Sequence, residues 1–163
     1  MKTSFVRIAT LSIGVLALSS IAPQAFADSV VKVTLDDTTG DINPDLKLGM
    51  GMSGDMAKST MSLKAQPASV PAGVVTFQVL NASKGTVHEM ILAAVADTSK
   101  QMPYVANESR VDEDKAGDLG EVSELDPGKS GELKVTLKPG TYLLYCNVPG
   151  HYMSGMWTTI TAK

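Results

Sequence analysis

Paired prolines and glycines constrain what this chain can fold into more than any other feature. Pro127-Gly128, Pro139-Gly140 and Pro149-Gly150 follow one another at short intervals, and Pro71-Ala72-Gly73 marks a break upstream. Proline fixes φ near −65° and removes an amide donor, while glycine accepts the positive φ of a type II turn. Long helices are excluded across such points, so the runs between them must be short. Those runs carry a period of two. Leu133, Val135 and Leu137 alternate with Glu132, Lys134, Thr136 and Lys138, as in a strand with one wet face. Tyr142, Leu144 and Cys146 share one face of the next run, with Leu143 and Tyr145 on the other. Val31, Val33 and Leu35 mark an early strand, and Val75, Phe77 and Val79 another. Residues 87–95 are apolar on both faces once past His88 and Glu89, which suits a central strand. Short strands with frequent turns and no internal repeat predict an all-β sandwich.

Two stretches depart from that pattern. Residues 38–60 are rich in glycine and methionine and read as a long loop or partly mobile arm. Residues 97–126 are polar and leave room for one short helix. Within them, residues 108–126 hold eight acidic side chains against Arg110 and Lys115. A solvated surface is the favoured reading of that run, ahead of a docking patch for a basic partner.

Residues 1–27 read as a secretory leader. Lys2 and Arg7 supply its positive start, residues 11–22 its apolar stretch, and Ala25-Phe26-Ala27 a small-residue cleavage site. The apolar stretch is too short for a membrane span, and no later run approaches the roughly 18 apolar residues one needs. The leader lacks a twin-arginine pair, and no cysteine follows it to take a lipid. The expected mature chain is a single periplasmic domain beginning at Asp28. Residues 28–62 would supply a first strand and the Met/Gly-rich loop, and residues 63–163 the core. Without Lys2 and Arg7 it carries 12 basic against 17 acidic residues, a formal charge of −5. That sign argues against nucleic acid and anionic membrane surfaces.

Cys146 is the only cysteine, so no internal disulfide is possible. An unpaired thiol in an oxidising compartment is a liability unless a metal holds it as thiolate. Its surroundings favour that outcome. The stretch Y-C-N-V-P-G-H-Y-M-S-G-M, residues 145–156, holds Cys146, His151 and Met156 within eleven positions. The other histidine, His88, lies 58 positions before Cys146 at the edge of a strand-like run. Val148-Pro149-Gly150-His151 has the signature of a type II turn, which would aim the His151 ring back toward the sulfur. Taken singly, a strand cysteine is usually a small core hydrophobe and a histidine a satisfied polar residue. Taken together, two His, one Cys and a weak axial Met form the ligand set of a blue-copper electron-transfer site. Met153 competes with Met156 for the axial place. Met156 is preferred, because Met153 lies only two residues beyond His151.

At this loop the chain resembles the cupredoxins. Cys-x-x-P-G-H-x-x-x-G-M is most similar to the loop of the rusticyanin and sulfocyanin branch, and L-D-P-G-K-S-G-E-L-K-V-T-L-K-P-G-T-Y, residues 125–142, is similar to the run before it. The resemblance spans residues 70–162. It implies a Greek-key β-sandwich, one type 1 copper ion at one end, and His88, Cys146, His151 and Met156 as its ligands. One position departs from plastocyanins and azurins, which have Asn after the upstream histidine where this chain has Glu89.

An enzyme is not expected. A Cys146/His151 nucleophile pair lacks an orienting acid in the motif, and multicopper chemistry needs histidines beyond the two present. Structural zinc would use Met poorly, and catalytic zinc would need an open position for water. The expected function is single-electron transfer between redox partner proteins docking near His151, by a monomer. Val148, Pro149, Tyr152 and Met153 are the expected docking face. The alternative is an envelope protein for copper storage, delivery or resistance. It would draw on Met50, Met52, Met56 and Met61, whose thioethers suit Cu(I) but equally suit gap filling.

Overall fold

The alternating runs become two facing sheets in the computed structural model, which describes residues 28–39 and 41–163; the proposed leader, residues 1–27, lies outside them. The strands are β1 (Ser29–Asp37), β2 (Met61–Gln66), β3 (Ser69–Val70), β4 (Gly73–Asn81), β5 (His88–Val95), β6 (Tyr104–Val105), β7 (Arg110–Val111), β8 (Asp118–Leu125), β9 (Ser130–Leu137), β10 (Gly140–Tyr145) and β11 (Trp157–Ala162). One sheet runs β2-β1-β4-β9, the other β3-β11-β10-β5-β8, and β6 and β7 form a separate hairpin. Most neighbours are antiparallel, but β1 pairs parallel with β4 and β11 parallel with β3. The predicted all-β sandwich is therefore the observed one.

Its interior is made by the period-two residues. Val31, Val33 and Leu35 from β1 and Val75, Phe77 and Val79 from β4 meet Met90 and Leu92 from β5 and Tyr142 and Leu144 from β10. Each inward side chain leaves water almost completely. Full burial of such a side chain is worth about 1.5–3 kcal/mol against exposure, so register is firmly set by this face.

The five-stranded sheet is buried on its outer face as well. Ile91 and Ala93 from β5 and Leu143 and Tyr145 from β10 form a second cluster with Met50, Met102, Val111, Tyr152 and Met153. This explains why both central strands read as apolar on two faces. The cover comes from the two stretches that departed from the strand pattern. The single short helix expected in residues 97–126 is α1 (Glu113–Ala116), started by the Asp112 side chain accepting from Lys115 N–H and ended by Gly117 in the left-handed region.

Residues 41–60 are the larger surprise. They form a long loop, as expected, but it is packed along the 146–156 loop rather than loose. Leu48 N–H donates to Met153 C=O at 2.9 Å, Asn43 N–H to Ser154 Oγ at 3.0 Å, and Ser59 Oγ–H to Ser154 C=O at 2.7 Å. Trp157 Nε1–H donates to Leu48 C=O at 2.6 Å. Leu48 and Met50 are buried as anchors. Periodicity could not reveal this, because a segment that docks through its backbone has no repeat.

Candidate metal centre

Cys146 follows the last residue of β10 on the inward face shared by Tyr142 and Leu144. The chain then turns as its sequence demands. His151 N–H donates to Val148 C=O at 3.0 Å across Pro149-Gly150, and Gly150 has φ +85°. That is the hydrogen bond and the positive φ of a type II turn. Gly155, with φ +97°, bends the loop again before Met156. Two backbone bonds close it: Cys146 N–H to Met156 C=O and Met156 N–H to His151 C=O, both 3.1 Å. His88 enters from the first position of β5 in the same sheet, beside an irregularity in the β5–β8 pairing.

The three side chains converge. His88 Nδ1 lies 3.2 Å from His151 Nδ1, and Cys146 Sγ lies 3.4 Å from His151 Nδ1. One ligand atom from each residue falls within 4.8 Å of the other two, and all three residues are buried. Metal bonds of about 2.0 Å to nitrogen and about 2.3 Å to sulfur in one plane give ligand edges of roughly 3.5–3.7 Å. The observed contacts lie within a few tenths of an ångström of those edges, so the donor set fits a single soft metal ion.

Burial keeps all three groups neutral when no cation lies among them. Burial pushes the Cys146 thiol up to about 12, against the weaker pull of the Glu89 and Val148 amides. Burial, with the neighbouring His88 ring, pushes His151 down to about 4. Burial also lowers His88, opposed by Asp37. A neutral ring keeps a lone pair free, and a buried thiolate needs a cation beside it. His151 Nε2 is buried without a hydrogen-bond partner.

The methionines separate cleanly. Met156 is fully buried in the cluster that contains Cys146, whereas Met153 packs across the sheet with Tyr145 and Tyr152. Of the upstream set, Met50 belongs to the outer cluster with Met52 packed against it, Met61 to the sandwich core, and Met56 is 45% exposed. The four are not gathered at one place.

The expected docking face needs correction. Tyr152 is 1% exposed and packs edge-on against Tyr145, and Met153 is buried in the same outer cluster, so neither presents an open surface to a partner. The physical cause is the 41–60 segment, which covers that side of the loop. Pro149 and Ile42 are the exposed residues beside the turn, and Ile42 lies directly over Gly150.

Polar partners complete the surroundings, and of these Asn147 and Asp37 were not singled out from the sequence. Glu89 accepts from Asn147 N–H at 3.0 Å, and its own N–H donates to Cys146 Sγ at 3.5 Å. Asn147 exchanges two bonds with the Val111 backbone, at 2.7 and 3.0 Å, and donates to Glu113 Oε1 at 2.7 Å. Asp37 Oδ2 lies 3.1 Å from His88 Nε2. An acid at the end of an apolar alternation is the one signal that would have singled out Asp37.

Comparison with known proteins settles the family. The sulfocyanin (SoxE) domain matches residues 66–163, more than half of the chain. The chain belongs to the sulfocyanin (SoxE) domain family. It is thus a cupredoxin, and copper is the cofactor of this electron-transfer family. Auracyanin-B of Chloroflexus aurantiacus is 30% identical over 114 residues, which cover 64% of this chain and 48% of that protein. The chain therefore spans about half the length of the curated relative it matches. Reduced auracyanin from Roseiflexus castenholzii superposes with a TM-score of 0.52 at 19% identity, covering 85% of this chain and 99% of that one. Rusticyanin from Thiobacillus ferrooxidans gives 0.52 at 17% identity, covering 85% and 80%. Such identities speak to the fold, which they share.

Proposed function

We propose that this sulfocyanin-family chain carries single electrons between redox proteins through one type 1 copper ion held by His88, Cys146, His151 and Met156. The observation that carries the reading is the convergence of two buried imidazoles and the only thiol within 4.8 Å of one another. When bound, copper supplies a one-electron Cu(I)/Cu(II) couple. The protein's residues do the rest. Cys146 would hold the ion through its thiolate sulfur, His88 and His151 through one ring nitrogen each, and Met156 through its thioether. The closed backbone of the loop holds those donors in one arrangement for both oxidation states, which keeps reorganisation small. Burial excludes water that would otherwise add to the metal.

His151 directly follows Pro149-Gly150, and Pro149, Val148 and Ile42 are the residues at this turn that reach the surface, so an electron would leave through them. We place the partner-docking face there. The wider reading is an exported, periplasmic, monomeric carrier with no catalytic step of its own and with residues 28–163 as its one domain. No helix among the described residues is long and apolar enough to cross a membrane. The copper-storage alternative loses its main support, because Met50, Met56 and Met61 point to three different environments.

The test is direct. The protein should bind one Cu(II) and show an intense visible thiolate-to-copper band, and Cys146→Ala should abolish it. A copper-loaded wild type without colour would overturn the assignment.

A further inference from the structure

β1 ends on an anomaly. Its inward series, Val31, Val33 and Leu35, is buried to 1% exposure or less, and the next position in that series is Asp37. A carboxylate stands where the alternation calls for another hydrophobe. Its register partner is Met61, itself 3% exposed. Only 9% of the Asp37 side chain is exposed, and it faces a histidine with none exposed. The contact is also long-range: β1 belongs to the four-stranded sheet and β5, which carries His88, to the five-stranded one. Burying an acid between sheets is costly unless it is hydrogen-bonded and serves a partner. Its partner here is the outer nitrogen of the His88 ring, at 3.1 Å.

We propose that Asp37 is a positioning residue of the metal centre, holding the His88 ring with its hydrogen on Nε2 and its Nδ1 lone pair aimed at Cys146 and His151. The inference rests on the copper reading above. A carboxylate can only accept, so the hydrogen of this bond sits on Nε2 and Nδ1 is left as the donor atom. Nδ1 is the atom found 3.2 Å from His151 Nδ1. The same bond fixes the plane of the ring and makes the imidazole a better donor, as carboxylates behind metal-bound histidines do. A negative charge one ring away also favours the more positive oxidation state, so it holds the reduction potential down. Asp36 supplies an internal control. It carries the same charge one position earlier, but its Oδ1 accepts from Asp37 N–H rather than from the histidine.

The experiment compares wild type, Asp37→Asn, Asp37→Glu and Asp36→Asn by redox titration, Cu(II) competition and visible absorption. Asp37→Asn should keep the blue band, lose about 10–100-fold in Cu(II) affinity and show a raised potential. Each tenfold selective loss of Cu(II) over Cu(I) corresponds to about 59 mV. Asp37→Glu should recover part of the shift, and Asp36→Asn should move the potential by less than half as much. A wild-type potential in Asp37→Asn, or an equal shift in Asp36→Asn, overturns the proposal. If Asp37→Asn does not fold, nitrogen NMR of the wild-type His88 ring decides instead. A slowly exchanging hydrogen on Nε2 in the metal-free and Cu(I) forms supports the pairing, and a hydrogen on Nδ1 in the metal-free form overturns it. A wild type that binds copper without the band overturns the copper reading, and the metal-free ring tautomer then decides the Asp37 pairing alone.

Discussion

At the scale of single residues, the separation of Met156 from Met153 carries the sharpest expectation. Met156 shares the inward cluster with Cys146, while Met153 is held on the far side of the sheet. Met156→Leu should keep copper and raise the potential, because losing a weak sulfur donor disfavours Cu(II) more than Cu(I). Met153→Leu should shift it far less, and redox titration giving the reverse ranking would move the axial role. The metal-free protein offers a second residue-scale test. His151 is depressed to about 4 and His88 is also depressed, so folding binds fewer protons there than the unfolded chain does below pH 6.5. Their contribution is present above that pH and is lost as pH falls toward 4. Glu89 runs the other way: burial raises it to about 7, so its contribution is present below 4.5 and is lost as pH rises through 7. The His151 and Glu89 contributions are of similar size and opposite sign between pH 5 and pH 7.5, so the single variants expose them. Glu89→Gln should lower the Tm at pH 5 relative to that at pH 7.5, compared with wild type, whereas His151→Gln should raise it.

At the scale of elements, the segment from residue 41 to residue 60 behaves as part of the site's frame. Its backbone bonds to Met153 and Ser154, and the Trp157 indole bonds back to Leu48. Leu48→Ala should therefore destabilise the protein by about 2–5 kcal/mol, the range for deleting a buried aliphatic side chain. Denaturant unfolding giving less than about 0.5 kcal/mol would describe a loosely attached loop instead. The same packing bears on copper handling. Met50 is an anchor in the outer cluster and Met56 faces solvent, so gathering their sulfurs around one ion would require undocking the segment. Cu(I) titration should stop at one equivalent, and the triple variant Met50→Leu, Met52→Leu, Met56→Leu should bind the same amount. A second equivalent lost in that variant would restore the storage reading.

At the scale of the whole molecule, the site ties together parts of the chain that are distant in sequence. The first sheet contributes Asp37, the second sheet His88, and the loop after β10 Cys146 and His151. A ligand that binds only this assembled arrangement must stabilise the entire fold. Free copper at about 100 times its dissociation constant should add about 2.7 kcal/mol to unfolding. Calorimetry should show that gain in wild type and not in Cys146→Ala.

The sequence by itself determined the strand runs and the copper loop, because both are local in the chain. Period-two alternation needs only neighbours to be read, as in Leu133, Val135 and Leu137. The turn at Pro149-Gly150 follows from the φ each residue permits, and so brings His151 back toward Cys146 without reference to the rest of the molecule. His88 was legible as the one remaining imidazole. Tertiary structure alone decided the rest. It set Met153 and Met156 in different surroundings, since both lie close to His151 in the chain until the fold buries one on each side of the sheet. It buried Tyr152, because the 41–60 segment that packs on it is held through backbone groups that every sequence possesses. It also gave Asp37 its place: an acid at a strand end reads as surface until the opposite sheet sets a histidine ring against it.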